Sequence, residues 1–176
     1  MPVFLRKTIA VLASTAALVV GIAPAAEAAP RVLTYNSNGA AEFKAVVDEG
    51  AKVWNDSVKN VKLVKTTGAA NITIVADNGW PRAQPTTLGN GRVWMGRQAV
   101  DQGYYPPRIA SHELGHILGL PDIKPGPCSS LMSGSTGGIP CKNIYPNASE
   151  KARVEAKFRP SVMATGEWNN QFVDAG

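Results

Sequence analysis

The chain contains only two histidines, and both lie in one pentapeptide, His112-Glu113-Leu114-Gly115-His116. On a helix, residues at i and i+4 share one face a turn apart, so the two imidazoles can grip a single ion. Glu113 then stands beside that ion as a candidate general base. The segment must therefore be helical and must present its polar stripe to a cleft. A helix is independently expected from about Arg108 to Leu118, because Pro106-Pro107 suits a first helical turn and Ile109, Ala110, Leu114, Ile117 and Leu118 supply an apolar stripe.

A hydrolytic zinc site takes three protein ligands and leaves one position for water. Gly119 indicates where the third comes from: a left-handed glycine ends the helix and turns the chain back, bringing Asp122 round to His112 and His116. The expected cofactor is one catalytic Zn(2+), with Glu113 taking a proton from the attacking water and passing it to the leaving amine. Two other readings use the same histidines. A thermolysin-like site would draw its third ligand from Glu150 or Glu155, although Glu150 also fits a capping box with Asn147. A non-catalytic secreted protein would hold zinc without hydrolysis.

The N-terminus reads as a signal peptide over residues 1–28. Arg6 and Lys7 are followed by an apolar run to Ala23 and by Ala26-Glu27-Ala28 as the cleavage site. The run is short for a membrane span, so a secreted, extracellular protein with no membrane contact after processing is expected. Residues 29–176, about 148 in number, suit one domain, and the strand-like segment Arg31–Tyr35 begins so soon after the cleavage site that no propeptide is expected. Without the leader the formal charge is about +4. The basic residues are scattered and no nucleic-acid motif occurs, so the partner expected is an extended protein or peptide substrate, met by a monomer. Cys128 and Cys141 are an even pair in an exported chain, for which a disulfide is the default.

Along the domain, Val32–Tyr35 reads as a strand. Ser37 or Asn38 is a possible cap for a helix carrying Phe43, Val46, Val47 and Trp54. Val61–Val64 and Asn71–Ala76 read as strands, with Thr67-Gly68 as a turn between them. Asp77–Gly91 reads as an irregular loop in which Trp80 is a candidate cleft wall, and Arg92–Gly96 as an exposed edge strand. A last helix carries Val154 and Phe158 and ends at Pro160, and residues 160–176 form a tail without periodicity. The fold class is α+β with a small mixed sheet.

His112-Glu113-x-x-His116-x-x-Gly119-x-x-Asp122, followed by Gly126-Pro127-Cys128, Leu131-Met132-Ser133, Cys141 and Tyr145-Pro146-Asn147-Ala148, resembles the snapalysins. These are small secreted bacterial neutral proteases of the metzincin clan. The resemblance extends weakly to Trp54-Asn55-x-Ser57-Val58-x-Asn60-Val61. Aspartate as third ligand is what makes it specific within the clan. It implies a metzincin-like domain with a twisted sheet above the zinc helix, a C-terminal helix, and Met132 as the methionine of the Met-turn beneath the metal. It also implies a Cys128–Cys141 disulfide and endopeptidase activity favouring an aromatic residue on the primed side, with the substrate paired to the edge strand near Arg92–Gly96. Two features depart from the family. Lys124 replaces its tyrosine, a possible oxyanion or site-tuning group. Tyr105 and Pro107 stand where its calcium ligands lie and offer no similar side-chain ligand, so the resemblance does not imply a calcium site here.

Overall fold

The computed structural model describes residues 29–160, so the expected signal peptide and the expected tail beyond Pro160 lie outside the described residues. Five strands form one sheet in the order β2-β1-β3-β5-β4. They are β1 (Arg31–Gly39), β2 (Val61–Lys65), β3 (Ile72–Asp77), β4 (Arg82–Thr87) and β5 (Asn90–Gly96). β2, β1, β3 and β5 run parallel, and β4 is antiparallel to β5. Alternation sets the faces: Leu33, Tyr35, Leu63, Ile72, Ile74, Val93 and Met95 are buried, whereas Val32 and Val64 between them are exposed.

The inner face is covered by α1 (Lys44–Ser57) and α3 (Pro106–Ile117). A short α2 (Arg97–Asp101) precedes α3, and a 3-10 segment, Leu131–Gly137, leads towards α4 (Ala148–Lys157). Together they make the α+β, metzincin-like domain that the sequence implies. Trp54 of α1 is fully buried and donates its indole N–H to the Ser111 carbonyl of α3 at 2.8 Å. One turn earlier, Gly50 lets the two helices touch: a Cβ there would lie 3.0 Å from the Ser111 amide nitrogen and 3.1 Å from Ala110. α1 is therefore the backing plate against which the histidine helix is set.

Three expectations require correction. Ser37 and Asn38 do not cap α1. Both lie in β1, which continues to Gly39 and its pairing with β3, while Asn36 bonds to the 66–68 turn. The chain reaches α1 through a 3-10 turn at Ala41–Phe43. Sheet pairing outweighs the local capping preference.

The stretch 77–91 is not wholly irregular, because it contains β4. Pro85 is tolerated there because, among the described residues, β4 has a partner strand on one side only. Consequently Arg92–Gly96 is not an edge. It is the body of β5, flanked by β3 and β4, and the free edge on this side of the sheet is β4.

Cys128 and Cys141 form a disulfide, closing a loop that contains the 3-10 segment. Asn147 caps α4 by accepting from the Glu150 amide at 2.9 Å, while Glu150 accepts from the Asn147 amide at 2.7 Å, a complete capping box.

Replacing Gly50 by leucine should drive α1 off α3. The expected loss is about 1–3 kcal/mol of unfolding free energy, read as a lower denaturant midpoint.

Candidate metal centre

His112 and His116 project from one face of α3 with their Nε2 atoms 3.1 Å apart. The Nδ1 of His112 faces the Leu131 carbonyl at 3.0 Å, and that of His116 faces the Leu120 carbonyl at 2.8 Å. A carbonyl only accepts, so each Nδ1 carries the proton and, in the neutral rings, each Nε2 presents a lone pair to the same point. The outer hydrogen bond fixes tautomer and ring orientation together.

Gly119 has φ +87° and ends α3 in a Schellman turn, with Gly119 N–H bonded to the His116 carbonyl and Leu120 N–H to the Gly115 carbonyl. This turn also delivers the Leu120 carbonyl to His116 and returns the chain so that Asp122 Oδ1 lies 3.3 Å from His112 Nε2 and 3.6 Å from His116 Nε2.

Three electron-rich atoms thus meet in a largely buried pocket. Burial, and then the neighbouring His112, push the His116 pKa down to about 4. Burial also resists charge on His112, but Asp122, Glu113 and the Leu131 carbonyl outweigh it and raise its pKa. Such a cluster is matched to a cation. Glu113 lies beside it, buried on the wall of the adjoining pocket, with a carboxylate oxygen within 4.8 Å of both imidazoles.

The segment beneath the site is held by two charged residues. Arg108, one turn before His112 on the same helix face, donates to the carbonyls of Ser130 (2.7 Å), Leu131 (3.3 Å) and Asn143 (2.6 Å) and to Ser133 Oγ (2.9 Å). Glu150, fully buried, accepts from Ser130 Oγ (2.6 Å) and from the amides of Leu131 (3.2 Å) and Met132 (2.9 Å). Its carboxylate is thus committed to the backbone of residues 130–132 and to its own helix cap, and it does not join the histidine cluster.

Met132 is fully buried against α3. A Cβ on Gly115 would sit 2.7 Å from its Sδ and 3.1 Å from Trp54, which explains the glycine inside the histidine pentapeptide. The Arg108 role escapes a reading of the sequence. Its one trace is the spacing Arg108, His112, His116 at i, i+4, i+8.

A pocket of about 530 Å³ opens beside His112 and Glu113. Trp80, packed edge-on to Tyr104 at 5.7 Å, Tyr105, Ile109 and Arg82 of β4 line it, and Lys124, Gly134 and Cys141 complete the wall. Trp80 is therefore a cleft residue. Lys124 places its ammonium 2.7 Å from Asp122 Oδ2. At the start of α3, Pro107 is buried and the Tyr105 ring carries the Lys142 ammonium 4.8 Å from its centroid.

Glu150→Gln puts an amide donor where backbone N–H groups need acceptors and leaves Arg108 without a nearby negative charge. It should lower stability by about 2–3 kcal/mol, read by thermal or denaturant unfolding of the metal-free protein.

The family model of the Streptomyces extracellular neutral proteinases (M7) matches residues 31–159. The extracellular small neutral protease of Streptomyces caespitosus is 40% identical over 126 residues, covering 70% of this chain and 94% of that protein. The proteins of the same description from Streptomyces sp. (strain C5) and Streptomyces lividans are 40% and 39% identical over 123 and 132 residues. These matches cover 69% and 74% of this chain but 54% and 58% of the relatives, so the chain spans little more than half of their length. The match runs through every element that builds the site, from β1 to α4. The chain belongs to the Streptomyces extracellular neutral proteinase (M7) family, the snapalysins that its sequence resembles.

Proposed function

We propose that the protein is a secreted zinc-dependent endopeptidase whose metal is held by His112, His116 and Asp122. The observation that carries this reading is the convergence of His112 Nε2, His116 Nε2 and Asp122 Oδ1, spaced 3.1–3.6 Å apart. Ligand atoms about 2.0–2.1 Å from a tetrahedral zinc lie about 3.3–3.4 Å from one another, so the cradle fits the ion. Both imidazoles turn their unprotonated nitrogens to it, as metal ligation requires. Bound there, zinc supplies Lewis acidity, making a water more acidic and polarising the scissile carbonyl.

Glu113 has one task the ligands cannot perform. From the pocket wall its carboxylate accepts the proton of the attacking water and then returns it to the leaving amine, so the nitrogen departs neutral. Burial in the cleft keeps competing solvent away from that carboxylate.

The substrate lies extended along β4, whose outer side has no partner strand among the described residues, and gains backbone hydrogen bonds by β-addition. This places the edge contact on Arg82–Thr87. The aromatic-lined pocket next to His112 and Glu113 receives an aromatic primed-side residue, with Trp80, Tyr104 and Tyr105 supplying ring faces and edges. Met132, beneath α3, gives the centre an apolar floor. Secretion agrees with the extracellular description of the relatives and with the leader-like residues 1–28.

Zinc content and casein hydrolysis, measured on the purified protein and two variants, test the proposal. Glu113→Ala should keep one zinc and lose about 10²–10⁴-fold in rate. Asp122→Ala should lose both metal and activity. Hydrolysis surviving in Glu113→Ala sinks the general-base role, retained zinc in Asp122→Ala removes the third ligand, and zinc without hydrolysis in the unmodified protein favours a non-catalytic zinc-binding protein.

A further inference from the structure

The two oxygens of Asp122 have different neighbours. Oδ1 faces the histidine nitrogens at 3.3 and 3.6 Å, while Oδ2 meets the Lys124 ammonium at 2.7 Å. The lysine stem is seated as well as its head. Gly134 has φ +53°, and a Cβ there would lie 2.9 Å from Lys124 Cε and 3.2 Å from His112 Cε1. The bare backbone at Gly134 thus leaves a slot that the lysine stem and the histidine ring both use.

We propose that Lys124 is the charge partner of Asp122: it binds Oδ2, leaves Oδ1 for the metal, and brings the His112, His116 and Asp122 ligand set to zero net charge. The inference rests on the zinc site proposed above. Two neutral imidazoles and a carboxylate carry one negative charge, which tightens the hold on a dication and blunts its Lewis acidity. An ammonium on the far oxygen cancels that charge, and the site then matches one built from three neutral ligands. Lys124 is a positioning residue, acting on the metal through Asp122.

Its loss should change the charge of the site more than its shape, because Asp122 is anchored independently. The next residue, Ile123, donates its amide to the Met132 carbonyl at 2.8 Å, and Pro121 restricts the approach from the other side. Lys124 is exposed, with 37% of its side chain accessible, so solvent screens part of its charge, while its 2.7 Å contact with Oδ2 keeps the remainder at the carboxylate. Charge and position then predict opposite signs. A lysine that merely supported Asp122 would, when removed, loosen the metal. A lysine that balances its charge would, when removed, tighten it.

The test is zinc affinity, measured by competition with a chromogenic chelator on the purified protein and on Lys124→Met, Lys124→Gln and Lys124→Arg, with peptide hydrolysis followed alongside. Both neutral variants should bind zinc at least about tenfold more tightly and turn over more slowly, and Lys124→Arg should restore affinity and rate towards the original. Lys124→Gln keeps a hydrogen-bond donor without the charge, so its agreement with Lys124→Met assigns the effect to charge. Melting curves of the metal-free variants check that both are folded.

Unchanged zinc affinity with a slower reaction would overturn the inference in favour of a direct contact between Lys124 and substrate. Weaker affinity in the neutral variants would overturn it in favour of simple support. Absence of zinc binding by the unmodified protein would overturn the inference together with the metal site, which separates that failure from the other two.

Discussion

The backbone of residues 130–132 is the constraint on which the site depends. The Leu131 carbonyl accepts the Nδ1 proton of His112, the Met132 carbonyl accepts the amide next to Asp122, and the Met132 side chain fills the hollow under Gly115. One short stretch therefore orients His112, anchors the residue next to Asp122 and supports the helix bearing both histidines. It has no regular secondary structure of its own beyond a 3-10 turn, so its shape is imposed from outside. Arg108 takes its carbonyls, Glu150 takes its amides, and the two charges stabilise each other across the segment they grip. A buried arginine and a buried glutamate cost desolvation energy, and that cost is offset by the full set of backbone partners each one finds.

Behind this stands the contact between α1 and α3. Trp54 and Gly50 set the depth of the histidine helix against the core, and the same indole touches the space under Gly115 that Met132 fills. Core packing and the placement of the imidazoles are thus continuous, from the sheet through α1 to α3.

The legible parts of this molecule were those where chemistry is written locally. Two histidines at i and i+4, a glycine three residues on, and a carboxylate three beyond that are a sequential device, and the structure brings all of them to one point. The capping box of Asn147 and Glu150 is likewise local. Glu150 shows the limit of such reading, because its second task, holding residues 130–132, depends on where α4 docks. The same limit explains β4. Pro85 and the nearby glycines speak for a loop, and only pairing with β5 makes Arg82–Thr87 a strand and moves the sheet edge to it. Ser37 and Asn38 have capping chemistry, but the pull of β3 on β1 extends the strand past them. Arg108 was illegible because its partners are backbone carbonyls, which no side-chain pattern announces.

The central claim is that His112, His116 and Asp122 together hold one metal ion. Anomalous diffraction from crystals of the zinc-loaded protein, recorded on both sides of the zinc absorption edge, locates the ion directly. A single strong peak is expected about 2.0–2.2 Å from His112 Nε2, His116 Nε2 and Asp122 Oδ1, with Glu113 beside it as a non-ligand. A peak bound by the histidines but distant from Asp122, or one coordinated by Glu150, would contradict it.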